Sequence, residues 1–323
     1  MRALVTGCAG FIGSHLTESL LEDGHVVLGV DCFNENYGRR DKLRNLDQAN
    51  DWHEFEFVPI DLARGDLDDL YDECDTIFHL AAEPGVRASW GARFDEYLRN
   101  NVLATQHLLE AAKRSPEKRF VFASSSSIYG DTSEPVTRED SLPRPYSPYG
   151  TTKLAAEHLC GLYFGNYGVQ TVSLRYFSVY GPRQRPDMAF NIFCRAAILG
   201  ETLRVFGDGT QTRDFTYVTD VVAATRAAAE AGGVAGQVYN VGGGSAVSLA
   251  HGLECIEGLA GGPLGIDYVS RQRGDVHHTS ADTSRARSDL GFEPNTDFES
   301  GLEQEFAWME AMLSRGGIRG ASG

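Results

Sequence analysis

The chain has 323 residues, 42% of them hydrophobic, enough to bury a sizeable core in one large or two smaller domains. Its net charge of -16 argues against nucleic acid and anionic membranes as partners, and an anionic substrate would need a local cluster of arginines to overcome that field. The six scattered cysteines contain no CxxC pair, so neither a metal site nor a disulfide framework is expected; no leader precedes the first strand and no apolar run spans a bilayer, which predicts a cytoplasmic protein.

Taken in chain order, Arg2–Thr6 is a short apolar strand, followed by Gly7-Cys8-Ala9-Gly10-Phe11-Ile12-Gly13 and an amphipathic helix expected over 14–22. Three glycines at this spacing are weak by themselves; their place between a first strand and a helix is what counts. There, backbone N–H groups and a helix N-terminus can meet a pyrophosphate. A second strand, 26–30, ends in Asp31. An acid there can bond both ribose hydroxyls of an adenosine and repel a 2′-phosphate, which favours NAD over NADP.

Further strands are expected at 55–58, 76–80, 119–123 and 171–174, with helices between them, notably 95–114 and 148–167. This rhythm predicts an α/β fold, a Rossmann-type doubly wound parallel sheet, with ligands beyond the C-terminal strand ends. Gly7, Asp31, Asp61, Ala81, Ala82 and Ser125 all fall there. After Tyr180-Gly181-Pro182 the elements become shorter, marking a smaller, interleaved substrate-binding region. A helix at 218–231 and a strand at 237–241 return to the sheet. The expected division is therefore 1–179 with 215–243 as the NAD-binding part, and 180–214 with 244–323 as the nucleotide-sugar part. The helices 95–114 and 148–167 would pair with their copies in a homodimer, although packing within one subunit explains their apolar faces equally well.

Tyr149-Gly150-Thr151-Thr152-Lys153 places a phenol and an ammonium one helical turn apart, on one face. Ser147-Pro148 reads as an N-cap with proline in the first turn. The helix end and Lys153 would both favour a phenolate, lowering the phenol's pKa towards working pH. Such a group exchanges protons with an alcohol when a hydride acceptor is near.

These motifs together resemble the extended short-chain dehydrogenase/reductase family, and its nucleotide-sugar epimerase branch in particular. The resemblance covers nearly the whole chain: the Gly7–Gly13 loop, Asp61-Leu62, His79-Leu80-Ala81-Ala82, Asn101-Val102-Leu103-Ala104-Thr105, the serine run Ser124-Ser125-Ser126-Ser127, Tyr149 with Lys153, the stretch from Arg175 to Pro182, and Arg213-Asp214-Phe215. It implies catalytic roles for Tyr149, Lys153 and Ser125. It implies NAD contacts from Gly7, Gly10, Phe11, Ile12, Gly13, Asp31, Asn34, Asp61, Leu62, Leu80, Ala81, Ala82, Asn101, Tyr149, Lys153 and Tyr176. For a UDP-sugar substrate it implies Ser125, Ser126, Ser127, Ser178, Arg213, Arg271, Gln272 and Asp275. Arg273 stands where proline is common in the related Pro-Gly-Asp motif.

The serine run separates branches of the family. Sugar-nucleotide 4,6-dehydratases look like Thr-Asp-Glu here, and UDP-glucuronate decarboxylases usually carry Glu where this chain has Ser127. Three small hydroxyl residues fit C4 epimerisation through a 4-keto sugar. The segment Arg183-Gln184-Arg185-Pro186-Asp187-Met188-Ala189 is similar to one in UDP-glucuronate 4-epimerases. An arginine there can grip a C6 carboxylate in bidentate fashion; Arg185 is the first choice, Arg87 and Arg183 the weaker ones. The expected reaction is UDP-glucuronate to UDP-galacturonate. A 4-epimerase of UDP-glucose or UDP-N-acetylglucosamine, a UDP-glucuronate decarboxylase and a non-catalytic NAD sensor are the alternatives.

Overall fold

Leu4 and Val5 of the first strand are both buried yet face opposite layers, one packing with Leu28, Ile77 and Leu108, the other with Leu16, Phe78 and Val221. A strand covered on both faces belongs in the middle of a parallel sheet. The computed structural model describes residues 1–34, 37–65, 67–131, 134, 136–272 and 274–315.

In chain order the elements are β1 (Arg2–Thr6), α1 (Phe11–Glu22), β2 (Val26–Asp31), α2 (Arg39–Asn45), β3 (Phe55–Pro59), α3 (Asp68–Asp72), β4 (Thr76–His79), α4 (Phe94–Tyr97), α5 (Ala104–Ala112) and β5 (Arg119–Ser125). They continue with α6 (Pro148–Tyr167), β6 (Gln170–Tyr176), β7 (Ser178–Tyr180), α7 (Ala189–Leu199), β8 (Leu203–Phe206), β9 (Thr212–Tyr217), α8 (Val218–Glu230) and β10 (Val238–Val241). The last are β11 (Ala246–Ser248), α9 (Leu249–Ala260), β12 (Ile266–Val269), α10 (Ser284–Leu290) and α11 (Phe298–Arg315).

Among the described residues, seven strands form a parallel sheet in the order β10-β6-β5-β4-β1-β2-β3. The order turns back between β1 and β4, so a crevice opens where their C-terminal ends diverge. The strand expected at 237–241 does return: β10 pairs with β6, Val238 opposite Ser173. Residues 215–217, in contrast, lie in β9, which joins β7 and β11 in a separate three-stranded sheet, while β8 and β12 pair beside it.

Two expected helices differ. The first begins at Phe11 rather than residue 14, because Gly10 is already its N-cap. The span 95–114 is not one regular helix: between α4 and α5 the backbone widens into a π-helical stretch, Leu98–Leu103. That widening shifts which side chains face inwards.

Candidate functional site

The crevice is a cleft lined by the Gly7–Gly13 turn, Asp31, Asn34, Asp61, Leu62, Leu80, Ala81, Ala82, Tyr149, Lys153, Tyr176 and Arg185. At its floor, a side chain on Gly13 would bring Cβ within 2.1 Å of the Gly7 carbonyl oxygen, and one on Gly7 within 2.9 Å of the Ala81 nitrogen. Gly7 also sits at φ +73°, where L-residues are strained. No side chain caps α1 and its first turn holds no acid, so its positive end faces the cleft unneutralised. A concave backbone without side chains beneath an uncapped helix fits a pyrophosphate. The chain's residues therefore fit a dinucleotide.

The walls are held by buried bonds. The Leu80 and Ala81 N–H groups both donate to Thr6 Oγ1 at 3.1 Å. Thr6 in turn meets His79 Nδ1 at 2.8 Å, and His79 Nε2 meets Thr105 Oγ1 at 2.9 Å. Burial, with Lys153 nearby, pushes His79 down to about 3, so it stays neutral and serves as a strut between β1, β4 and α5. At the far end, Asp31 Oδ1 accepts from the Phe33 N–H at 2.8 Å. Lys42 of α2 places Nζ 3.9 Å from that carboxylate, with both side chains nearly buried. Burial raises the Asp31 carboxyl pKa and Lys42 holds it back. Sequence reasoning missed Lys42, whose only signal is the basic run after Tyr37-Gly38.

Asp61 caps its own turn by accepting from the Ala63 N–H at 3.0 Å. Asn34 donates to Glu83 at 2.6 Å, across the mouth of the cleft. Tyr176 contributes its ring, since its hydroxyl is bonded to Thr225 of α8 at 2.7 Å. Asn101 stands behind the cleft wall. Its amide is consumed by the Glu83 backbone at 2.7 and 3.1 Å and by Thr152 at 3.0 Å, and Asn100 lines the cleft instead.

Ser147 Oγ accepts from the Gly150 N–H at 3.1 Å and Pro148 opens α6, which starts the helix at the place the proton-transfer pair requires. Tyr149 and Lys153 then share the cleft wall. The lowering expected for the Tyr149 phenol is opposed by its burial. Burial raises the Tyr149 pKa, and a hydrogen bond from the Ser125 hydroxyl and the charge of Arg185 offset only part of that. Lys153 is fully enclosed, its ammonium 4.5 Å from the centre of the Phe122 ring, and burial lowers it to about 8 against the pull of Cys160 and Glu157. Ser124 donates to Glu157 at 2.6 Å, and Glu157 is paired with Arg175 at 2.6 and 3.0 Å, all buried. Sequence reasoning passed over this pair, which holds the end of β5 against α6.

The candidate substrate residues fall into two groups. Arg185 lies beside Tyr149, paired with Asp187 through Nε and Nη2, each at 3.0 Å. Ser126 and Ser127 form a short 3-10 turn after β5, where the Ser127 N–H bonds back to Ser125 Oγ at 3.1 Å, and Ser178 opens β7. The second group gathers on the small sheets. Arg87 is bidentate to Asp275, with Nη2 at 2.7 Å, and stacks 4.3 Å over Phe206. Arg213 donates to the carbonyls of Thr212, Val276 and His277, and Arg271 donates to that of Asp275 at 3.3 Å. Burial lowers the pKa of Arg213, and Arg271 and Arg87 act on it in the same direction. Three guanidinium groups thus converge, the local cationic cluster that an anion needs in so acidic a chain. Gln272 is exposed beside them, and Arg273 lies outside the described residues.

The two weaker candidates for the carboxylate, Arg87 and Arg183, stand elsewhere than Arg185. Arg87 belongs to the Asp275 cluster, and Arg183 is held by Glu18 of α1 at 2.8 Å with both side chains largely buried.

A parallel sheet with an uncapped glycine turn at its switch point, and a tyrosine–lysine pair on the adjoining helix, defines a dinucleotide-dependent oxidoreductase-type site. The chain belongs to the NAD dependent epimerase/dehydratase family, whose model matches residues 3–242. It is 38% identical over 309 residues to a UDP-glucuronate 4-epimerase of Thermodesulfobacterium geofontis, covering 94% of this chain and 95% of the relative. It is 39% identical to a UDP-glucose 4-epimerase of Mycolicibacterium smegmatis, covering 94% and 96%. Among solved structures it resembles the UDP-glucuronic acid 4-epimerase of Bacillus cereus in complex with UDP-glucuronic acid and NAD: 42% identity, TM-score 0.93, covering 97% of this chain and 100% of that one. No helix among the described residues is long and apolar enough to cross a membrane.

Proposed function

We propose that this chain is an NAD-dependent UDP-sugar 4-epimerase whose substrate is UDP-glucuronate and whose product is UDP-galacturonate. The carrying observation is that Arg185 stands beside Tyr149, close enough for its charge to act on the phenol. A cation at that place can fix an acidic group next to the reacting carbon. NAD, bound by the strand-end residues from Gly7 to Ala82, supplies a hydride acceptor that returns what it takes. Tyr149, as phenolate, removes the 4-hydroxyl proton and gives it back, with Ser125 sharing the bond and the positive charge of Lys153 in the same wall favouring that phenolate. Arg87, Arg213 and Arg271 anchor the diphosphate while the 4-keto sugar turns over between its two faces.

A 4-keto uronate is a β-keto acid and loses carbon dioxide when its carboxylate bond aligns with the carbonyl π system. Arg185, with the hydroxyls of Ser126, Ser127 and Ser178, holds the carboxylate out of that alignment. Dehydration lacks its acid and base: the carboxylate bonded to the serine run, Glu157, is already neutralised by Arg175.

A neutral UDP-hexose is the second reading, favoured by the occupied state of Arg185, which Asp187 already pairs. Comparing kcat/KM for UDP-glucuronate and UDP-glucose separates the two. A preference for glucuronate of at least about tenfold, some 1.4 kcal/mol, supports the first; equal or reversed values support the second.

The same reading makes the protein a cytoplasmic homodimer. Leu98 and Leu103, together with Leu162 of α6, expose 43%, 41% and 57% of their surface, an apolar face suited to a second copy. Sedimentation shows a dimer if so, and a monomer at micromolar concentration contradicts it.

A further inference from the structure

His251 and Cys255 stand four residues apart in α9 and therefore on one face. Glu299, in the first turn of α11, comes to the same point from a neighbouring helix. His251 Nε2 lies 2.6 Å from Glu299 Oε1 and 3.7 Å from Cys255 Sγ, and the three donor atoms all fall within 4.8 Å of one another. None of these residues lines the cofactor cleft.

We infer that His251 Nε2, Cys255 Sγ and Glu299 Oε1 form a binding site for a thiophilic divalent cation of the zinc type, with water as the fourth ligand. Nitrogen, sulfur and carboxylate oxygen together are the donor set of tetrahedral zinc rather than of magnesium or calcium. Bond lengths of about 2.3 Å to sulfur and about 2.0 Å to nitrogen set a tetrahedral N···S edge of about 3.5 Å. The observed 3.7 Å is already close to it. The histidine–glutamate edge is short, because a proton now joins the two atoms; a cation in its place opens that edge to about 3.4 Å by the same geometry.

The other imidazole nitrogen supports the assignment. Nδ1 lies 3.8 Å from Glu254 Oε2, longer than a hydrogen bond, and a small turn of that exposed carboxylate would let it orient the ring once Nε2 holds a metal. The His251 and Glu299 side chains are 44% and 58% exposed, which gives the ion a path in and the fourth position a water. The ring of His251 also packs 6.1 Å from that of Phe298, whose other neighbours are Tyr180, Phe190 and Phe215. The ion would thus staple α9 to the start of α11 across the aromatic core beside the small sheets. Linear spacing hides this site because Glu299 lies 48 residues beyond His251.

Titrating the purified holoenzyme with Zn²⁺ alone, then with Co²⁺ as the spectroscopic probe, tests it. One equivalent of Zn²⁺ should bind and raise Tm by a few degrees, reversibly with chelator. Co²⁺ should give tetrahedral d–d bands and a thiolate charge-transfer band. Cys255→Ser should abolish that band and weaken Zn²⁺ by more than tenfold, Glu254→Gln by about tenfold, while Cys32→Ser keeps the band. A Co²⁺ spectrum without thiolate character, a band lost with Cys32→Ser instead, or unchanged Zn²⁺ affinity in Cys255→Ser overturns the site. UDP-sugar turnover by Cys255→Ser stays at the parent level, so this result and the fate of the proposed epimerase activity are read separately.

Discussion

Arg185 does not wait empty beside Tyr149: Asp187, two residues on, holds its guanidinium through two bonds of 3.0 Å. The Asp187 side chain is 56% exposed and that of Arg185 only 19%. Water screens the acid, so the pair is weak and exchangeable. In the proposed reading, an incoming sugar carboxylate would take over the fork and Asp187 would turn out to solvent.

The exchange predicts opposite effects for the two residues. Arg185→Ala should lower kcat/KM for UDP-glucuronate by roughly 10–100-fold, the loss of a charged hydrogen-bonded contact of about 1.5–3 kcal/mol. UDP-glucose turnover should change by less than about threefold. Asp187→Asn removes the competitor, worth at most about 1 kcal/mol, and should lower KM for UDP-glucuronate by up to about fivefold. Steady-state kinetics on both substrates decide; equal losses on both for Arg185→Ala would sink the carboxylate assignment.

Glu157 carries a different load. It neutralises Arg175 inside the protein, and Arg175 Nη1 also donates to Tyr129, which donates to Asn240 of β10. Glu157→Ala leaves the guanidinium buried without a counter-charge, a loss of about 3–5 kcal/mol. Because Glu157 supports the charge on Lys153, removing it should also lower that ammonium's pKa further below about 8. A urea midpoint close to the parent value would contradict the network.

Glu305 of α11 gives a pH signature. It is fully buried, accepts from the Gly181 N–H at 2.8 Å, and its other oxygen has no partner among the described residues. Burial raises it to about 8, the Gly181 bond offsetting only part. Its unfolded pKa is about 4.3. The folded state thus binds the proton more tightly, so this contribution is complete below about pH 4.3 and is lost as pH rises through about 8. Glu305→Gln keeps an acceptor for Gly181 without a titrating group. The Tm of the variant minus that of the parent should grow from pH 5 to pH 8, and a constant difference contradicts the assignment.

The local signals in the sequence carried far. A glycine turn between an apolar strand and a helix, an acid ending β2, and Ser147-Pro148 opening α6 are each set by neighbours within a few residues. The parallel sheet followed from the alternation of such signals. What the chain hid depends on distant partners. Asn100 rather than Asn101 lines the cleft, and neither residue announces it. Lys42 reaches Asp31 from α2, the helix after β2, and no local pattern marks that pairing. Burial by the surrounding side chains raises the phenol of Tyr149, an effect that spacing alone did not suggest. Arg87 shares a proline- and glycine-rich loop with candidate ligands, but its partner, Asp275, is 188 residues away.

The central claim joins Tyr149, the strand-end cofactor residues and Arg185 in one reversible oxidation at C4. Purified protein given UDP-glucuronate and no added dinucleotide tests it most directly, with the product followed by NMR and mass spectrometry. The account predicts UDP-galacturonate of unchanged mass, formed to an equilibrium mixture, with no carbon dioxide released. A decarboxylated UDP-pentose as the main product, or no conversion even after NAD is supplied, would contradict it.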